Sequence, residues 1–206
     1  MKDLLDRKEP QAQTRKDGIA RLDKLSNERL DKLGVDQLGG TVRLFKAADL
    51  SVSLSEARTA QDAIAVLKAL EDESSRGSTD AARFLAPFGN KEQLEALLKK
   101  LEDGDAAAFQ TVKDIITVQS STKSADVAQG LNSLVQAAER GDEAAKAFIA
   151  NSFGFTELNK GLEVAKGLIP KLTADDHDAY KLLRGRVPSG VDELNDLRTR
   201  RILQGL

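Results

Sequence analysis

The chain has 206 residues, 40% of them apolar and 31% charged, with a net charge of −2. That length supports one substantial core or two small ones, and the apolar and charged fractions together exclude a disordered or a membrane-embedded chain. Cysteine is absent, which removes disulfides, thiolate zinc sites, iron–sulfur clusters and cysteine nucleophiles, and aromatics at 4% without tryptophan demand an aliphatic core anchored by seven phenylalanines.

Residues 1–10 carry Lys2, Asp3, Asp6, Arg7, Lys8 and Glu9 around two leucines, with no apolar run of the kind a secretory signal needs. No stretch approaches the ~20 apolar residues of a membrane span, so the expected location is cytoplasmic, although secretion without a cleaved signal would leave the same sequence. Further on, Arg21-Leu22-Asp23-Lys24-Leu25 recurs as Arg29-Leu30-Asp31-Lys32-Leu33. On a helix, Ile19, Leu22, Leu25, Leu30 and Leu33 share an arc of roughly 140°, with the charges opposite. Leu22, Leu25, Leu30 and Leu33 are therefore candidates for docking a partner or a second copy, although packing onto the chain's own body is the commoner use of such a face. Gly39-Gly40 predicts a break, so residues 1–40 read as a charged extension with an amphipathic helix and residues 41–206 as a single all-α globular domain.

From Ser53 the grammar is helical. Ser53 and Glu56 have capping-box spacing before a stripe of Ala57, Ala60, Ile64, Leu67 and Leu70. Ser78 or Thr79 then caps a short helix that stops around Pro87 and Gly89. Asn90 starts the next, with Leu94, Leu97, Leu98 and Leu101 inward, and Gly104 ends it. Asp105 opens a helix with Phe109, Val112, Ile115 and Ile116; Ser124 caps one through Leu131 and Ala138; Asp142 opens another through Phe148 to Phe153-Gly154. Thr156 and Thr173 read as further caps, as does Ser189 before a last helix bearing Val191, Leu194, Leu197, Ile202 and Leu203. No segment keeps period-two alternation, and Thr41-Val42 and Thr117-Val118 are too short for strands. The pattern predicts an all-α protein of about nine helices.

One phrase recurs: an apolar helix, a charged pair, a glycine turn, then Asp and alanines. It reads Leu101-Glu102-Asp103-Gly104-Asp105-Ala106-Ala107 in one place and Ala138-Glu139-Arg140-Gly141-Asp142-Glu143-Ala144 in another, with a looser copy from Leu70 through Gly77 to Asp80-Ala81-Ala82. Over residues 61–154 this resembles a HEAT-like hairpin, in which the aspartate caps the second helix and a basic residue follows, as Arg83 follows Asp80 and Lys146 follows Asp142. The aspartates lie 25 and 37 residues apart, against a period near 40 in regular arrays. The phrase thus implies serial antiparallel hairpins, arranged either as an irregular bundle or as a short HEAT-like solenoid.

Candidate chemistry is sparse. His177, the one histidine, sits in Asp175-Asp176-His177-Asp178, but neighbours on a helix diverge by about 100° and cannot all face one ion, whereas acids in a first helical turn suit the macrodipole. Gly185-Arg186-Val187-Pro188-Ser189-Gly190 lacks the lysine and preceding strand of a phosphate loop. No cofactor, metal or catalytic set emerges, and acidic pairs such as Asp103 with Asp105 read as solvated helix ends. Charge is uneven: residues 101–150 hold 4 basic and 8 acidic residues, net −4, whereas 180–206 hold 6 basic and 3 acidic, net +3. Arg184, Arg186, Arg198, Arg200 and Arg201 are the partner-binding candidates of that tail, for phosphates or an acidic surface, although cations at a solvated helix end, facing the negative end of the dipole, are the commoner reading. The expected function is a non-enzymatic helical interaction protein, an adaptor, effector or structural subunit that binds another protein. The alternatives are a nucleic-acid-binding protein using the basic C-terminal helix and an enzyme using carboxylate acid–base residues.

Overall fold

The computed structural model describes residues 36–153 and 157–187, with side chains from residue 46 onward. The chain divides into two compact units, Met1–Lys46 and Ala47–Leu206. Among the described residues the structure is all-α, with nine α-helices and no strand: α1 (Asp36–Ser55), α2 (Ala60–Ser75), α3 (Thr79–Leu85), α4 (Lys91–Glu102), α5 (Ala106–Ser120), α6 (Ser124–Glu139), α7 (Glu143–Phe153), α8 (Leu158–Thr173) and α9 (His177–Arg184). A 3₁₀ turn, Ala86–Phe88, follows α3. None of these helices is long and apolar enough to cross a membrane.

The recurring phrase encodes one backbone device, used four times. At Gly77, Gly104, Gly141 and Asp175 the chain turns through φ of 89°, 78°, 96° and 60°, the left-handed region that ends a helix. Each turn carries the same two hydrogen bonds: the turn residue donates to the carbonyl three residues back and its successor to the carbonyl five back, as in Gly104 to Leu101 (3.1 Å) and Asp105 to Lys100 (2.9 Å), or Asp175 to Leu172 (3.0 Å) and Asp176 to Lys171 (2.9 Å). This is the Schellman motif. The successor residue then caps the following helix. Asp105 accepts from the Ala107 and Ala108 N–H groups (2.8 and 3.1 Å), Asp142 from Ala145 (2.8 Å), Asp176 from Asp178 and Ala179 (2.9 and 3.0 Å), and Ser78 from Ala81 (3.2 Å). A single residue thus closes one helix through its backbone and opens the next through its side chain, so the connection needs no further loop.

Several sequence expectations are corrected by these details. Gly39-Gly40 does not break the chain; both lie inside α1. Glycine weakens a helix by about 1 kcal/mol relative to alanine, which is too little by itself to end one. Ser53 is likewise internal to α1, and the capping box is Thr59 with Asp62, each side chain accepting the other's backbone N–H (3.1 and 3.0 Å). Asp80 is not a cap, because Ser78 holds that place and leaves Asp80 in the first turn. Lys123, not Ser124, stands at the cap position of α6, and the buried Ser124 hydroxyl donates instead to the Leu172 carbonyl at the end of α8 (2.8 Å). Thr173 ends α8, its hydroxyl turned back to the Ile169 carbonyl (2.9 Å). Thr156, Gly154 and the expected helix after Ser189 lie outside the described residues.

Packing in the second unit centres on α6, which lies against α5, α7 and α8 and buries Val127, Leu131, Leu134, Val135 and Ala138. Phe84, Phe88, Phe148 and Phe153 are fully buried among leucines and isoleucines, the sparse aromatic anchoring that composition demands. Gly130 lets α6 approach α5 closely: a Cβ there would lie 3.1 Å from Val118 Cγ2 and 3.2 Å from the Asp114 carbonyl oxygen. Hairpins that are not sequence neighbours also touch. The 3₁₀ turn packs on α7, where Asn151 donates to the Ala86 carbonyl (2.7 Å), and Tyr180 of α9 donates to the Ser121 carbonyl beyond α5 (3.1 Å). In an open array each repeat meets only its neighbours, so these contacts make a helical bundle of serial hairpins.

Candidate functional site

The basic candidates divide according to position. Arg184 is half-buried, and its guanidinium closes the C-terminus of α5: Nη1 donates to the Val118 and Gln119 carbonyls (2.9 and 2.5 Å), Nη2 to the Ser121 carbonyl, and Nε to the Tyr180 hydroxyl (3.0 Å), over whose ring it stacks at 5.0 Å. A planar fork of five donors suits a cluster of helix-end carbonyls, and its charge meets the negative end of the dipole. Arg186 does the same for α7, with Nη1 3.1 Å from the Phe153 carbonyl. Both arginines therefore have helix-end partners within the fold. Arg198, Arg200, Arg201, Leu22, Leu25, Leu30 and Leu33 lie outside the described residues.

The acidic run around His177 is the fourth hairpin turn. Asp175 takes the left-handed position that glycine holds in the other copies, Asp176 is the N-cap, and His177 and Asp178 begin α9. Among the described residues no three His, Asp or Glu side chains are placed to share a metal ion. Asp105 is an N-cap and Asp103 the C-cap residue of α4, both exposed helix-end positions.

A concave site does exist, and single-sequence reasoning missed it. Between the first half of α5 and the second half of α6 lies a cleft of about 340 Å³, lined by Ala107, Gln110, Thr111, Asp114, Ser133, Gln136, Ala137, Arg140 and Asp142. That is within the size range of small-ligand sites. Gln110 and Asp114 stand one turn apart on α5, and Ser133, Gln136, Ala137 and Arg140 follow i, i+3, i+4, i+7 on α6, so each helix presents one polar stripe to the gap. Helical spacing shows such stripes but not that two of them face each other. Close packing at Gly130 brings the helices together at one end, and the cleft opens toward the other, at Gln136, Ala137 and Arg140.

The two cleft carboxylates differ in kind. Asp142 is committed to structure: Oδ1 accepts the Ala145 N–H and Oδ2 the hydroxyl of the buried Thr111 (3.2 Å). Asp114, half-buried, accepts only the Gln110 amide (2.9 Å). Burial raises its carboxyl above the ordinary aspartate value, and the Gln110 hydrogen bond and the Lys113 charge offset this only in part. The Lys113 ammonium itself sits over the Phe109 ring at 5.1 Å. Arg140 is exposed at the rim, and its side chain makes no ion pair or hydrogen bond among the described residues. A second, smaller cleft of about 200 Å³ also borders Asp142, lined by Glu92, Gln93, Ala96, Leu97 and Lys100 of α4 with Ala108, Glu143 and Ala144.

Fold and site together define an all-α bundle of capped hairpins with a concavity of mixed polar and apolar lining where the α4–α5 and α6–α7 hairpins meet. Comparison of the chain with protein-family models, curated proteins and solved structures gives no match.

Proposed function

We propose that this chain is a non-enzymatic helical interaction protein, an adaptor, effector or structural subunit, and that its partner docks on the concavity flanking Asp142. The observation that carries this reading is the pair of clefts sharing that residue, which gives four helices from two hairpins one continuous, mixed polar and apolar contact surface. Stacked hairpins place such surfaces where successive units meet. The acidic excess of residues 101–150 favours a partner that is basic at the point of contact.

The carboxylate-enzyme reading draws support from Asp114 and Asp142 sharing a cleft, since acid–base pairs need two carboxyls in unlike environments. Against it stands the commitment of both Asp142 oxygens to the Ala145 N–H and Thr111 hydroxyl, which leaves Asp114 without a free partner. Site-specific photo-crosslinking in the native host cell tests the interaction reading. Probes at the exposed positions 136 and 96, one in each cleft, should give the same protein adduct, and a probe at exposed position 159 on α8 should not. Equal adducts at all three positions, or none at 136 and 96, would overturn it.

A further inference from the structure

The α5/α6 cleft holds two oppositely charged groups that the fold does not use. Arg140 has no side-chain partner among the described residues, and Asp114 accepts one hydrogen bond, from the neutral Gln110, with the Lys113 charge acting on it but no ion pair formed. Several neighbouring charges are engaged elsewhere: Asp142 by Ala145 and Thr111, Lys113 by the Phe109 ring, Glu139 by Lys166 (2.6 Å), and Glu143 by Lys146 (2.8 Å). Between the two free charges the lining is neutral and hydrogen-bonding, from Gln110, Ser133 and Gln136. The volume of about 340 Å³ suits a molecule of a few to some twenty heavy atoms.

We infer that this cleft binds a small zwitterion of the amino-acid or dipeptide class, its ammonium held by Asp114 and its carboxylate by the Arg140 guanidinium. An ammonium recovers the hydrogen bonds and countercharge that partial burial denies Asp114, and a carboxylate matches the planar fork of Arg140. The amide and hydroxyl groups between them match a ligand whose middle is polar and uncharged. A simple diamine would leave Arg140 repelled, and a dicarboxylate would set like charge against Asp114. This is the same cleft that the protein-partner reading uses, and the two readings are separated by whether free zwitterions or only a peptide occupy it.

Amide chemical-shift mapping of the full-length chain, titrated separately with glutamine, arginine and glycylglycine, tests it. Two half-probes complete the set: agmatine, which lacks the carboxylate, and glutarate, which lacks the ammonium. The expected result is saturable shifts confined to residues 107–114 and 133–142 for at least one zwitterion, with either half-probe about tenfold weaker. Asp114→Asn and Arg140→Gln should each weaken the zwitterion by a similar factor while leaving shifts elsewhere in the spectrum unchanged. Arg140 is exposed, so its variant keeps the fold even if Asp114→Asn perturbs it. The inference is overturned if no zwitterion gives saturable shifts at those residues, if a half-probe binds as tightly, or if Arg140→Gln leaves the affinity unchanged. It is equally overturned if only an arginine-containing peptide, and no free zwitterion, occupies the cleft.

Discussion

Replacing Arg184 by alanine removes the donors that close α5. Four acceptors lose a partner at once: the Val118, Gln119 and Ser121 carbonyls and the Tyr180 hydroxyl. Hydrogen bonds to charged groups contribute about 1.5–3 kcal/mol each when isolated, but Arg184 is only half-buried and the freed carbonyls regain water, so the sum is not reached. The favourable meeting of cation and helix dipole is lost as well, which brings the expected cost to about 2–3 kcal/mol. Urea unfolding of the full-length chain should show this as a midpoint lower by about 1 M with an unchanged slope. Arg184→Lys should recover less than half, because one ammonium cannot span three carbonyls and a hydroxyl. A loss below about 0.5 kcal/mol, or full rescue by lysine, would refute the capping role and return Arg184 to the pool of surface cations.

Other outcomes follow from the turns and caps. Asp175→Gly should stabilise the chain by about 0.5–1 kcal/mol, since glycine adopts φ near +60° without a Cβ penalty; a lower melting temperature would contradict the turn assignment. Gly104→Ala and Gly141→Ala should each cost about 1 kcal/mol even though no atom lies within 4 Å of the added Cβ, because the penalty is in the backbone; a neutral result by chemical denaturation would show that these turns relax. The Asp62 carboxyl is held below the ordinary aspartate value of 3.8 by hydrogen bonding to the Thr59 side chain, then to the Thr59 and Arg58 backbone N–H groups. A depressed folded pKa contributes stability above the unfolded value and loses it as pH falls through the folded one, so Asp62→Ala should destabilise at neutral pH and converge with the native chain once the carboxyl is protonated in the folded state. Melting curves against pH would reveal a gap that fails to close.

Much of the fold was legible because its connections are written in local chemistry. The glycine-then-aspartate phrase at Gly104-Asp105 and Gly141-Asp142 announces both the end of one helix and the start of the next, and the structure adds only that one residue does both tasks. The fourth copy escaped notice because Asp175 stands where glycine is expected, and its acidic neighbours look like a ligand cluster. Gly39-Gly40 misled for the opposite reason: glycine composition signals a turn, but only a left-handed backbone makes one. Arg184 and Arg186 read as phosphate-binding or solvated helix-end cations because a sequence lists charges and not the carbonyls of other helices that they meet. The cleft was hidden for the same cause. Gln110, Asp114, Ser133 and Gln136 are ordinary polar positions on two helices, and only the packing of α5 on α6 sets them face to face.

Acids that build the hairpins differ from Asp114, the cleft acid that no cap or turn uses, and thermal melting of two variants tests that separation most directly. Asp176→Ala deletes an N-cap that accepts two backbone N–H groups, and should lower the melting temperature at neutral pH by about 2–4 °C, the equivalent of ~1 kcal/mol. Asp114→Asn should raise it. A carboxyl whose folded pKa is raised contributes its full stability below the unfolded value and loses it as pH rises through the folded one, so ionised Asp114 is a net cost at neutral pH. The two shifts should therefore have opposite signs, and the Asp114 gain should vanish when melting is repeated below the ordinary aspartate pKa. Shifts of the same sign would contradict the account, because Asp114 would then be one more structural acid.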